Sequence, residues 1–81
     1  MNEKEKEISN KIARWVYKEH RPVTSQEIAT HFNLSIYTVR RIIHAILHRV
    51  DGTHCSLEVI PTRIKGQMRP IKYITIHFLP D

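Results

Sequence analysis

Residues 25–47 read SQEIATHFNLSIYTVRRIIHAIL. Two short helices joined by a tight polar corner account for this stretch. The first carries Ile28, Ala29 and Phe32 on one face, and the second carries Val39, Ile42, Ile43, Ile46 and Leu47 on one face. Between them lies Asn33-Leu34-Ser35. Ala29 is small where the two helices would cross closely. Asn33 stands where the corner needs a positive φ, which Asn tolerates better than most residues. Ser35 can cap the second helix. Small, polar and apolar residues thus fall at the offsets of the helix-turn-helix of DNA-binding proteins. A plain helical hairpin in a small bundle would share the apolar stripes, so the surrounding chain has to decide between the two.

Upstream, Glu3 to about His20 predicts a helix, with Ile8, Ile12, Trp15 and Val16 on one stripe. Pro22 ends it, because the residue before a proline avoids the α region. Val23 then allows a strand of one or two residues. Thr24-Ser25-Gln26-Glu27 is a capping box for the next helix. The third helix runs from Ile36 to about Arg49 and stops near Asp51-Gly52, which points Val50 inward.

Downstream the period changes. His54 to Ile64 and Pro70 to Leu79 are rich in β-branched and aromatic residues, with Gly66 between them. A Gly66-Gln67 turn of the Gly-first kind would set Lys65 opposite Met68, Val59 opposite Ile74, Leu57 opposite Ile76 and Cys55 opposite Phe78. Glu58 would pair with Thr75 and Ser56 with His77 on the other face. Pro61 and Pro70 donate no ladder bond, so pairing is expected to loosen at the tip. The expected fold class is therefore α+β: a winged helix-turn-helix, three helices followed by a two-stranded antiparallel wing. Its expected core holds Trp15, Ile28, Phe32, Val39, Ile42, Ile46, Leu57, Ile74 and Ile76.

At 81 residues the chain predicts a single DNA-binding domain over 1–81. A chain this short buries only about 60% of its unfolded surface, so the core is thin. The 41% hydrophobic fraction is nonetheless too high for a disordered tail. No apolar run approaches ~20 residues, so no membrane span is expected. The charged start MNEKEKEISN lacks the apolar core of a signal peptide. Cys55 alone fits a reducing cytoplasm.

The net charge of +5 is unevenly placed. Acids nearly balance bases through residue 34. Beyond it, Arg40, Arg41 and Arg49 share their helix with no acid, and Arg63, Lys65, Arg69 and Lys72 face only the terminal Asp81. Cations clustered on two separate elements point to a polyanion, here double-stranded promoter or operator DNA. Helix three would enter the major groove and the hairpin would reach flanking phosphates or the minor groove.

On helix three, Tyr37, Arg41, His44 and His48 oppose the apolar stripe. Tyr37, Thr38, Arg41 and His44 lie toward the end that usually meets base edges and are the expected readers. Arg41 could grip a guanine bidentately. Ser35, Arg40, Arg63, Lys65 and Arg69 are the expected phosphate contacts. His44 and His48 form an i, i+4 pair, but Ala45 replaces the glutamate of HExxH and there is no second cysteine, so no metal or other cofactor is expected. No nucleophile has a base and orienting acid, so no enzymatic activity and no small-molecule substrate are expected. A homodimer or a regulatory protein partner stays open. The competing reading is a winged-helix interaction module that binds another regulator and not DNA.

A further set of residues resembles the CaiF/GrlA-type transcriptional regulators of enteric bacteria. It comprises Ile12-Ala13-x-Trp15, Arg21-x-Val23, Glu27-Ile28-x-x-His31-Phe32, Cys55, Val59-Ile60-Pro61 and Gly66. The resemblance covers about residues 8–78 and implies a bacterial activator, located in the cytoplasm at the nucleoid, that binds promoter DNA through its helix-turn-helix. Members of that group extend further at the C-terminus, and the surroundings of helix three match least. No operator sequence therefore carries over.

Overall fold

The computed structural model describes residues 3–80. The element order is α1 (Glu3–Glu19), β1 (Val23–Thr24), α2 (Ser25–Phe32), α3 (Ile36–Leu47), β2 (His54–Ile64) and β3 (Gln67–Phe78). The strands form one antiparallel sheet in the order β1-β3-β2. This α+β arrangement is compatible with the expected winged helix-turn-helix. The hairpin is not a free-standing pair, because Val23 and Thr24 join it opposite Ile74 and Tyr73.

Local sequence sets the helix ends. His20 adopts φ 51 and its amide donates to the Tyr17 carbonyl, closing α1 two residues ahead of Pro22. Thr24 Oγ1 accepts from the Glu27 amide at 3.1 Å, and the Thr24 amide donates to Glu27 Oε2 at 2.8 Å. Both orphan donors of the capping box are thereby satisfied.

One face of each helix and of the sheet meets in a common core. Ile12, Ala13 and Val16 come from α1, Ile28 and Ala29 from α2, and Val39, Ile42, Ile43 and Ile46 from α3. Val23, Ile74 and Ile76 supply the sheet side. Trp15 and Phe32 pack against this core half-buried. One expected core member, and one residue expected to point inward, lie outside it. Leu57 is 40% exposed, because the sheet has already begun to leave the helices at that level. Val50 is fully exposed, because α3 ends at Leu47 and the helical stripe does not carry on to residue 50.

The hairpin register also differs from expectation. Leu57 pairs with Ile74, Cys55 with Ile76, Val59 with Lys72 and Ile64 with Gln67. The turn is Lys65-Gly66, with φ 50 and φ 80. Two consecutive positive φ values are what a type I′ turn requires, and its twist matches the flanking strands. Starting the turn one residue earlier shifts the pairing by two, which leaves the side chains from Cys55 to the tip on their expected faces. An irregularity between His54 and Cys55 then sets His54 opposite Phe78. Ser56 Oγ still meets His77 Nε2 at 2.8 Å, although the Cα partner of Ser56 is Thr75.

The prolines do not loosen the tip. Pro61 and Pro70 are direct partners, and the register continues without a shift to Ile64 and Gln67. Counting outward from the two-residue turn, Ile64 and Gln67 exchange hydrogen bonds, Arg63 and Met68 do not, Thr62 and Arg69 do, and Pro61 and Pro70 do not. Each proline nitrogen therefore points away from its partner strand, where no ladder donor is needed.

Candidate nucleic-acid interface

The corner between α2 and α3 is built from three residues. Asn33 takes φ 54, ψ 51, and its amide donates to the Ala29 carbonyl. The Leu34 amide donates to the same carbonyl at 3.0 Å. Ser35 then opens α3: its Oγ accepts from the Thr38 amide at 3.2 Å and meets Thr38 Oγ1 at 2.9 Å. Ser35 and Thr38 thus hold each other, which leaves the Thr38 methyl and the outer lone pairs for a partner.

Along α3, Tyr37 stands 78% exposed and Arg40, Arg41, His44 and His48 are exposed around it. They do not all face the same space. Arg40 and His44 line a groove between α3 and the sheet. Thr24, Ser25 and Gln26 at the start of α2 form one end of it, and Pro70 and Lys72 of β3 form the far wall. Ile36, Ile43, Leu47 and Leu57 supply its apolar floor. Arg41 turns the other way, toward α1, where its guanidinium meets the Glu5 carboxylate. Of the expected base readers, Tyr37, Thr38 and His44 keep their side chains clear of α1, and Arg41 is engaged by it.

Three arginines are held by other side chains. Arg21 pairs with Glu27 at 3.1 Å and with Glu19 at 3.4 Å. Arg49 donates to Ser9 Oγ at 3.0 Å and to Asn10 Oδ1 at 2.9 Å, and approaches Asp51 at 3.9 Å. Ser9 is buried, so Arg49 ties the end of α3 to α1. Arg40, Arg63, Lys65, Arg69 and Lys72 form no ion pair among the described residues, nor do Lys4, Lys6, Lys11, Arg14 and Lys18 of α1. Arg69 donates to the Gln67 side-chain oxygen at 3.4 Å. Arg40, Arg63, Lys65 and Arg69 are the expected phosphate-binding cations, and with Lys72 they lie on the groove and the hairpin. Lys72 occupies an even position on β3, which puts it on the helix-facing side, the side of Ile74 and Ile76.

No group of three or more histidine, cysteine or acidic side chains gathers among the described residues. The His44 and His48 rings lie 4.4 Å apart and tilted by 45°. Cys55 sits half-buried with Sγ 3.9 Å from the Ile46 carbonyl oxygen. Burial pushes its thiol up from its ordinary range, against the pull of Arg49. Such a thiol packs and does not attack. Among the described residues no helix is long and apolar enough to cross a membrane.

Compared with known proteins, the chain is similar to the transcriptional activatory protein CaiF of Escherichia coli strain K12 and of Shigella flexneri. In each case it is 30% identical over 63 residues, which covers 78% of this chain and 48% of the relative. The chain therefore spans about half the length of the curated relatives it matches. No protein-family profile matches it. No solved structure matches it either.

Proposed function

We propose that this chain is a winged helix-turn-helix domain through which a bacterial transcriptional regulator, an activator in the cytoplasm, binds promoter DNA. The observation that carries this reading is the placement of unpaired cations beside the helix-turn-helix corner. Arg21, Arg41 and Arg49 are held by carboxylates or polar groups. Arg40, Arg63, Lys65, Arg69 and Lys72, on the groove and hairpin, form no ion pair among the described residues. Unmatched cations on two elements flanking an exposed helix face suit a polyanionic duplex. The similarity to proteins named as transcriptional activators supports the same reading.

In this reading α3 lies in the major groove. Tyr37, Thr38, Arg41 and His44 meet base edges. Ser35, Arg40, Arg63, Lys65 and Arg69 hold phosphates, and Lys72 joins Arg40 across the groove. The test is selection of bound duplexes by the full chain from a random-sequence pool, followed by footprinting of the enriched site. Enrichment of one sequence with protection of adjacent major and minor grooves is the expected result. A pool that never enriches and shows no salt-dependent binding removes the reading.

A second reading, an interaction module for another regulator, draws on one observation. Val59 and Met68 stand 55% and 58% exposed on the helix-facing side of the hairpin. It takes first place if the chain binds no duplex.

A further inference from the structure

The hairpin is long for the core it leaves. Leu57 is already half out of the core, and seven residue steps separate it from Ile64, so the ribbon projects by roughly 23 Å. Its end is unusual in composition. Ile64 and Met68 flank the Lys65-Gly66 turn, 40% and 58% exposed. Ile64 shares a face with Gln67, and Met68 shares the opposite face with Arg63. The tip is therefore a blade with one apolar side chain on each flank. Neither covers the other, and neither reaches the core. Arg63, Lys65 and Arg69 surround the two, and the run Thr62 to Arg69 contains no acid.

Charge and apolarity have different uses here. The cations suit phosphates, but a tip that only clamped phosphates would gain nothing from Ile64 and Met68. An antiparallel ribbon fits the minor groove only if the groove opens. Apolar side chains inserted between base steps open it by unstacking them, and the duplex then kinks by about 20–90° toward the major groove. Flanking cations hold the two phosphate rows on either side of such a wedge.

We propose that the wing tip enters the minor groove with Ile64 and Met68 as an apolar wedge, and that this protein bends its DNA. The inference rests on the DNA-binding reading above. It adds that the wing deforms the duplex, and that sequence preference arises at the step it opens. Pyrimidine–purine steps unstack most easily, so one should lie where the tip reaches.

The experiment uses the full chain and circularly permuted fragments carrying the duplex it selects from a random pool. Wild type should bend these fragments by more than about 20°. The double variant I64T/M68T keeps strand-forming residues at exposed positions, so folding, checked by thermal melting, should persist. It should bind with an unchanged salt slope but at least halve the bend, and it should lose preference for a flexible step at the tip. Wild type that binds without bending, or a variant that bends as wild type does, overturns the wedge and leaves DNA binding intact. Loss of self-association by the variant in sedimentation, with no bend in wild type, would assign the tip to a second copy and also overturn it. A pool that never enriches overturns the DNA-binding reading itself.

Discussion

The Arg41 guanidinium on α3 is held by the Glu5 carboxylate on α1, a pairing that links residues far apart in sequence. Arg41 is 63% exposed and Glu5 26%, so the pair is partly screened and contributes on the order of 1 kcal/mol. Glu5→Gln should therefore lower the urea midpoint only modestly. It should strengthen DNA binding several-fold at low salt, because Arg41 is released and a negative charge leaves the interface. Urea denaturation and fluorescence anisotropy on a selected duplex check both halves.

Arg41 and Arg40 should behave differently when truncated. Arg41→Ala is expected to cost about 1–3 kcal/mol on the preferred site and to relax choice at one base pair. Arg40→Ala should weaken good and poor sites alike, since Arg40 lies in the groove opposite Lys72. Site selection with each variant distinguishes the outcomes. Uniform weakening by Arg41→Ala together with altered preference in Arg40→Ala would exchange the two roles.

Lys65→Ala and Arg69→Ala should each lower affinity for every duplex and reduce the salt slope by about one. Neither residue has an ion-pair partner to lose among the described residues. Binding isotherms over a salt series read the slope directly. An unchanged slope in both variants would remove the wing from the phosphate backbone.

The left-handed backbone at Asn33 predicts a graded response to substitution. Asn33→Gly should change stability by a few tenths of a kcal/mol, because glycine accepts φ 54 without strain. Asn33→Val should lose about 1–2 kcal/mol, the cost of a side chain there. Thermal and urea unfolding should rank Gly near wild type and Val well below.

Two groups set opposite pH dependences. Asp51 accepts from the Thr53 hydroxyl at 2.7 Å and the Thr53 amide at 3.1 Å. These bonds, with the Arg49 charge, hold its carboxyl below its ordinary value. Its contribution to stability is thus present above the unfolded value of about 3.9 and is lost as pH falls through the folded one. The Cys55 thiol is raised by burial, so its contribution is present below about 8.5 and is lost as pH rises through the folded value. Carbon-detected titration of Asp51 should give a midpoint below the usual carboxylate range. Alkylation of Cys55 near pH 8.5 should be slower in the folded chain than in urea.

What was legible in the sequence was mostly local. The capping box at Thr24, the left-handed corner at Asn33 and the cap at Ser35 involve residues within a few positions of one another, and each chemistry leaves one solution. The strand faces were legible for the same reason, through alternation. The register was not, because a two-residue slide preserves every face, and the turn that decides it places a lysine where glycine or asparagine is usual. The engagement of Arg41 by Glu5 was hidden as well. The pitch of α3 shows that Arg41 leaves the core stripe, but only tertiary packing brings α1 beside it. Lys72 was counted as charge and not as a groove wall, since that wall exists only once the sheet stands across from α3.

The paired prolines have a meaning for the protein in a crowded solution. A long ribbon with open sides is a template on which other chains can add a strand, and long flat edges are where aggregation begins. β2 is the outer strand of the sheet, and β3 is uncovered beyond Thr24. Pro61 removes an outward donor from one edge, and Pro70 removes one from the other, at the same height. A second ribbon approaching either side meets a gap in its ladder midway along. Extended and partly apolar as it is, the wing is therefore blunted against strand addition at both edges.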